Sequence, residues 1–281
     1  MATGTWPRSA KIDAPRLVDR INEITGVRLT LEGPCPGGEV GAAYVRWPDG
    51  RRSVLSQSRS HTGPLLDRAR AAGVPTARHE LCARIDGIRV VVQQRLPGRP
   101  PGTVDAPLVH GMIRLTDRLA GLLTDRPDVL TPDLYLTSDG PGFCLHRPLA
   151  EHSRRSAKLL DWVHDVGAAA PTADGDDLVH LDFHPGNLLV DDGRITGVVD
   201  WDGAARGDRR LDLVTLQFTL GWRAPHLAPI VREQLTGAHP DRLRAYWAHM
   251  SLRQVDWSIR HHDDATVDRW LDIAEAGIPR D

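Results

Sequence analysis

Residues 179–190 read Val-His-Leu-Asp-Phe-His-Pro-Gly-Asn-Leu-Leu-Val, "VHLDFHPGNLLV". Between two apolar ends the stretch sets His180, Asp182, His184 and Asn187 around a Pro185-Gly186 turn. A carboxylate and a carboxamide so close together are hard oxygen donors, and histidines beside them can orient a loop or bind a metal. Asn187 then enters "NLLVDDGRITGVVDW" (187–201), where two apolar runs flank Asp191-Asp192-Gly193, the pattern of a β-hairpin. A hairpin turning there returns Asp200 to the end at which Asn187 lies. Two oxygen ligands converge, with the Asp182 carboxylate just upstream. Such a set suits magnesium, which takes one or two carboxylates and completes its shell with water and substrate phosphates. A carboxylate beside it can accept a proton from a hydroxyl nucleophile.

The chain around this centre has 281 residues, enough for one large domain or two smaller lobes with a sizeable core. A formal net charge of −2 and a pI near 6.7 leave no basic stripe for nucleic acid, which is not expected as a partner. Cys35, Cys82 and Cys144 are widely spaced and odd in number, without CxxC or zinc-finger spacing, which favours a reducing compartment. No apolar h-region follows the basic residues of the N-terminus, and nowhere do 18 apolar residues run together. The expectation is a cytoplasmic, soluble monomer with no membrane partner.

Upstream, residues 26–58 read as three short antiparallel strands, punctuated by Pro and Gly at 34–38 and by Pro48-Asp49-Gly50. Residues 63–75 form a short helix ended by Gly73 and Pro75, and 88–101 a buried strand running into a Pro/Gly-rich linker. That composition shift places an N-lobe over 1–95, a hinge over 96–101 and a C-lobe over 102–281. In the C-lobe, Asp105 caps a helix of about 20 residues whose Leu108, Met112, Leu115, Leu119 and Leu122 recur at helical spacing. A second helix lies near 153–166, and residues 211–276 are helical, broken by Pro225, Gly237 and Pro240. The fold class is α+β, a β-rich N-lobe joined by a hinge to a mainly helical C-lobe.

Together "HLDFHPGN", "VVDWD" and "GDRRLDL" resemble the catalytic core of the aminoglycoside phosphotransferase family of small-molecule kinases, whose loop reads HGDxHxGN and whose metal aspartate sits in an I-D-[WF] stretch. The resemblance implies a protein-kinase-like bilobal fold, ATP (or GTP) with Mg2+, and phosphorylation of a small-molecule hydroxyl acceptor. Carried over by position, it makes Asp182 the catalytic base, Asn187 and Asp200 the magnesium ligands, and His180 an orienter of the loop. His184, Asp208 and Asp212 match positions that hold the loop or brace the lobe. Leu181 stands where the family carries glycine. "VVVQQRLPGRPP" (90–101) resembles the family's strand-to-hinge segment, so that Gln93, Gln94, Arg95 and Leu96 offer backbone groups to the adenine edge. The implied acceptors are cationic antibiotics first, aminoglycosides or basic cyclic peptides of the viomycin and capreomycin type, with resistance as the result. Choline-, homoserine- and sugar-like metabolites are the other options of the family.

The N-lobe departs from that pattern. The family's third strand carries a lysine for the α- and β-phosphates, but the matching position in "RRSVLSQSR" is Ser56, and the chain's lysines are Lys11 and Lys158. Either an arginine takes over, Arg52 on the same strand face or Arg59 just beyond, or the protein binds without catalysing. Gly37, Gly38 and Gly41 in "PGGEVGAAYV" let a backbone approach phosphate oxygens, or simply make a hairpin turn. No G-x-x-x-x-G-K-[ST] occurs, which excludes a P-loop NTPase. Asp202 is either a substrate carboxylate or a cap. Asp256, Asp263 and Asp264 are acids available to an acceptor pocket, on a segment otherwise read as packing, and the acids of "TADGDDLVH" (172–180) read as a solvated turn. His180, Asp182 and His184, two residues apart, also admit a zinc or iron site of a hydrolase or oxygenase.

Overall fold

The computed structural model describes residues 11–36, 41–58, 62–169 and 171–278. The chain divides into two compact units, Met1–Arg99 with Leu189–Gly203, and Pro100–Leu188 with Ala204–Asp281.

The first unit opens with a helix α1, Ala14–Thr25, capped by the Asp13 side chain on the Arg16 N–H and ended by Gly26 at φ +73°. Its apolar face is narrow, only Leu17, Val18 and Ile21, and the sequence reading did not anticipate it. Strands β1 (Thr30–Pro34), β2 (Ala43–Arg46) and β3 (Arg52–Gln57) follow, then a helix α2 (Gly63–Ala71) and strands β4 (His79–Ile85) and β5 (Ile88–Gln94). They form a five-stranded antiparallel sheet in the order β1-β2-β3-β5-β4. Side chains alternate between faces along each strand. Val45, Leu55, Val90 and Val92 therefore point one way, into a core closed by Leu17, Val18 and Ile21 of α1. The opposite face carries Tyr44, Val54 and Gln93, which are aligned in register across three strands, with Ser56 beside them.

In the second unit, α3 spans Ala106–Arg118, capped by Asp105, whose carboxylate accepts from the Leu108 N–H at 2.9 Å. It stops short of the expected length because the next turn bonds elsewhere. The Leu119 carbonyl accepts from Leu178, and the Leu123 N–H, its helical partner, donates instead to Asp176. Helices α4 (His146–His152) and α5 (Arg154–Gly167) lead to a short strand β6 (Asp177–Val179). Asp177 is not simply solvated: its carboxylate accepts from the N–H groups of Gly121 and Arg209.

After a single helical turn, Pro185–Asn187, comes the hairpin of β7 (Leu188–Asp191) and β8 (Arg194–Val198). Asp192 and Gly193 both have positive φ, +46° and +71°, as in the two-residue turn that matches strand twist. From Leu189 onward this hairpin belongs to the first unit, although it lies inside the span read as C-lobe. It is bound there by Val190 and Arg99, which exchange N–H···O bonds of 2.8 and 3.1 Å, by Thr196 on the Pro97 carbonyl, and by the Val198 N–H on Pro75. Gly98, at φ +93°, sits where a Cβ would lie 2.6 Å from Thr196 Oγ1 and 2.8 Å from the Val190 carbonyl oxygen. Only glycine fits.

Strand β9 (Ala205–Gly207) returns to the second unit and pairs antiparallel with β6. Helices α6 (Arg210–Arg223), α7 (Ala228–Gln234), α8 (Pro240–His261) and α9 (Asp264–Ala276) complete it. Phe218 of α6 and Tyr246 of α8 are fully buried, and Trp270 stacks between Phe218 and Trp222 at centroid distances of 5.7 and 4.7 Å. Among the described residues no helix is long and apolar enough to cross a membrane.

Candidate active site

Strand β6 delivers the chain to His180, which is fully buried. The N–H groups of His180 and Leu181 donate to the two carboxylate oxygens of Asp212, at 2.7 and 2.9 Å, from the buried first turn of α6. Between them the backbone turns sharply. Leu181 has φ +67°, the left-handed region in which a residue with a Cβ is disfavoured by about 1–2 kcal/mol. It is a conformation that glycine adopts without that cost, and here a leucine adopts it under restraint from both sides: Asp212 takes its N–H, and Arg253 of α8 donates to its carbonyl oxygen. His180 Nδ1 accepts from the Asp182 N–H at 3.3 Å, and His184 Nδ1 accepts from the Gly186 N–H at 3.0 Å. Each histidine thus folds the loop onto itself.

The Asp182 carboxylate is the point on which the loop converges. Arg253 lies 3.0 Å from its Oδ1, Asn187 Nδ2 donates to Oδ2 at 3.1 Å, and His184 Nε2 is 3.6 Å from Oδ2. Asn187 Nδ2 also donates to the Asp182 carbonyl at 2.9 Å. With its amino group so used, the atom left to Asn187 for a ligand is Oδ1, a hard oxygen of the kind magnesium takes. Burial opposes the charge on Asp182, yet Arg253, then His184 and His180, outweigh it and hold the carboxyl well below the usual range. Asp212 moves the other way: burial pushes it up to about 7, against the two backbone N–H groups that favour its charge.

Sequence reasoning missed Arg253, 72 residues from Leu181. A signal existed in α8, where His249, Arg253, Asp256 and Arg260 recur at four- and three-residue spacing, a polar stripe on a helix with buried neighbours. His249 and Asp256 in that stripe are themselves buried. The acids offered for an acceptor pocket have partners of their own. Asp256 gives both oxygens to Arg260, at 2.8 and 3.0 Å, and also accepts from the Leu145 N–H. Asp263 caps α9 through the Thr266 N–H, and Asp264 is exposed in the first turn of that helix. Asp208, buried, braces the unit by accepting from Tyr246, Arg242 and Arg210.

In the first unit, Asp200 lies two residues past β8, exposed, at φ +64°. Trp201 is buried, with its indole N–H on the Val198 carbonyl, and Asp202 accepts from Ser58 at 2.9 Å, tying the segment after the hairpin to the end of β3. Ser56 is half-buried on β3. Arg52, offered as its replacement, is paired with Glu32 at 3.0 Å and stands about 13 Å along the strand from Ser56. Gln93 ends the row with Tyr44 and Val54, whereas the Gln94 N–H is already used by the Arg78 carbonyl. The Arg95 guanidinium lies over the Tyr44 ring, 4.5 Å from its centroid, and Leu96 packs where a Cβ on Gly197 would meet it. Gly37, Gly38 and Arg59 lie outside the described residues.

Among the described residues, no three His, Cys, Asp or Glu side chains are disposed to hold a metal ion together. The zinc or iron reading of His180, Asp182 and His184 is therefore set aside, since both histidines commit Nδ1 to the backbone.

The sheet-and-helix first unit followed by a mainly helical second unit is the protein-kinase-like fold. A thermostable mutant of aminoglycoside phosphotransferase APH(4)-Ia, solved as a ternary complex with AMP-PNP and hygromycin B, superposes with a TM-score of 0.63 at 22% identity over 92% of this chain and 97% of that one. An aminoglycoside phosphotransferase from Alicyclobacillus acidocaldarius gives 0.56 at 17% identity over 98% and 94%. Residues 39–248 match the model of the phosphotransferase enzyme family, and the chain belongs to that family. A curated relative, hygromycin-B 4-O-kinase of Escherichia coli, is 38% identical over 97 residues, 31% of this chain; the match spans 27% of the relative's length.

Proposed function

We propose that the protein is an ATP-dependent O-phosphotransferase whose acceptor is a hydroxyl of a small polar antibiotic of the aminoglycoside class. The observation that carries the reading is the Asp182 carboxylate, held in place by Arg253, His184 and Asn187 while the Asn187 carboxamide oxygen is left for a cation. The hygromycin-B kinase similarity and the hygromycin B complex of a structural neighbour support the choice of acceptor class.

In this reading, Asp182 orients the acceptor hydroxyl and takes its proton as the oxygen bonds to the γ-phosphorus. The bond from that phosphorus to the β,γ-bridging oxygen breaks, and the nucleoside diphosphate leaves with the bridging oxygen. Because Arg253 keeps Asp182 strongly acidic, the carboxylate serves chiefly to align the hydroxyl and receives the proton late, as suits a loose phosphoryl-transfer transition state. Asn187 and Asp200 would serve as the magnesium ligands, and the cation would supply neutralisation of phosphate charge. His180 and Asp212 keep the loop in the shape that presents Asp182. The sheet face bearing Tyr44, Val54, Ser56 and Gln93, with the residues up to Leu96, receives the nucleotide.

The test is a panel of aminoglycosides, basic cyclic peptides and hydroxylated metabolites, each incubated with protein, magnesium and ATP or GTP, and read by mass gain of one phosphoryl group. Transfer to an aminoglycoside with wild-type protein and none with Asp182→Ala is the expected result. Transfer only to a cyclic peptide or a metabolite would reassign the acceptor, and no transfer at all alongside tight nucleotide binding would favour a silent binder. Asp200→Ala should weaken magnesium-dependent nucleotide binding, which Asp182→Ala leaves largely intact.

A further inference from the structure

The geometry points to Arg253 as a positioning residue that compensates for Leu181: its guanidinium holds the carbonyl of the left-handed Leu181 and the carboxylate of Asp182 at once, fixing the loop that a side chain at 181 would otherwise unsettle.

The argument begins with the backbone. A residue with a Cβ at φ +67° is disfavoured, and it persists only where its surroundings determine it. Asp212 secures the N–H side of Leu181 but not the carbonyl side, which leads directly into Asp182. Arg253 acts on that second side. One terminal nitrogen reaches the Leu181 carbonyl oxygen, and the other lies 3.0 Å from Asp182 Oδ1. A planar guanidinium spanning the two acceptors fixes their relative direction, which an ammonium on a flexible stem cannot do as well. Arg253 is in turn held: its guanidinium lies 5.6 Å from the centroid of Phe143, and its side chain is only 24% exposed. The same helix face is stiffened by the buried Asp256–Arg260 pair, in the next turn. Arg253 touches no reacting atom in this account; it acts through Asp182.

The inference rests on the reading of Asp182 as the proton acceptor, and its test has one arm independent of catalysis. Arg253→Met and Arg253→Lys are made in the wild-type chain and in Leu181→Gly, where the left-handed backbone carries no side-chain penalty. In the phosphotransfer assay, Arg253→Met is expected to lower kcat about a hundredfold, with KM for both substrates within about threefold. Arg253→Lys should recover roughly tenfold of that loss. In the Leu181→Gly background the loss from Arg253→Met should shrink about tenfold. The second arm follows hydrogen exchange at the amides of residues 180–184, where Arg253→Met should speed exchange far more in the wild-type background than in the Leu181→Gly background.

Equal effects of Arg253→Met in both backgrounds, in either arm, overturn the compensation. A raised acceptor KM with unchanged kcat also overturns it, assigning Arg253 to acceptor binding. If Asp182→Ala retained full turnover, the functional reading would fall while the exchange arm still decided the coupling of Arg253 to Leu181.

Discussion

The loop at 180–187 and the outer face of β3 were both read from sequence as parts of one site, and they are built in opposite ways. In the loop, Asp182 is gripped from several directions, and the groups that grip it are buried or half-buried. On β3, Arg52 is exposed and paired with Glu32, and Ser56 offers a short hydroxyl where a long cation was expected. Paired charges at a surface contribute little, because water and salt screen them and long side chains lose freedom on pairing. Buried polar groups are costly to disturb, because a donor or acceptor left without its partner has no water to turn to. Under the proposed function, the contrast puts the fixed geometry of the reaction in the second unit and predicts that the phosphate contact does not depend on Arg52.

The sharpest way to break that contrast is Asp182→Ala. Loss of the carboxylate should lower kcat by about 10³–10⁴-fold, roughly 4–5 kcal/mol of barrier, in the phosphotransfer assay. A loss under tenfold would mean that the loop is rigid for some other reason. Next comes Asp212→Ala, which strands the buried N–H groups of His180 and Leu181. A destabilisation of about 4 kcal/mol is expected in urea unfolding, accompanied by reduced turnover of whatever protein remains folded.

A pH experiment probes the buried stripe of α8. Burial lowers the pKa of His249 from an ordinary 6.5 to about 4, with its Nδ1–H on the Leu134 carbonyl. The folded state therefore binds this proton less readily than the unfolded chain. The stabilisation is present above pH 6.5 and declines as pH falls towards 4. About 3 kcal/mol should be lost across that window, and His249→Gln should flatten the slope in a stability profile. The smallest effect is expected on β3, where Arg52→Ala should change stability by no more than about 0.5 kcal/mol and nucleotide affinity by less than about threefold. A large loss of nucleotide affinity there would restore Arg52 as the phosphate cation and undo the comparison.

What was legible in the sequence follows the same division. The strands at 30–57, the hairpin after Asn187 and the C-terminal helices were visible because each has local periodicity and turn residues of its own. Helix α1 was not, since three apolar side chains among charged neighbours make a faint stripe whose meaning comes only from the sheet it covers. In the site, the loop residues announced themselves by clustering polar groups within a few positions. Arg253 could not, being one arginine in a chain with 35 Lys and Arg residues of which two are lysine, and its partners lie far away in sequence. The Arg260 partner of Asp256 was not legible either, because a carboxylate on a helix reads the same whether it faces a ligand or a buried arginine.

The hairpin that binds residues 75–99 also constrains the order in which the protein can be made. The ribosome releases residues 1–99 first, but the Pro75, Pro97 and Arg99 backbone groups meet their partners only when Val190, Thr196 and Val198 emerge. At about 5–20 residues per second, the wait is on the order of 5–20 s. During that interval the five-stranded sheet can form, but the segment that fixes Gly98 against Thr196 is missing. The first unit is thus finished only after about half of the second has been synthesised, and a fragment ending at residue 99 would be an incomplete domain.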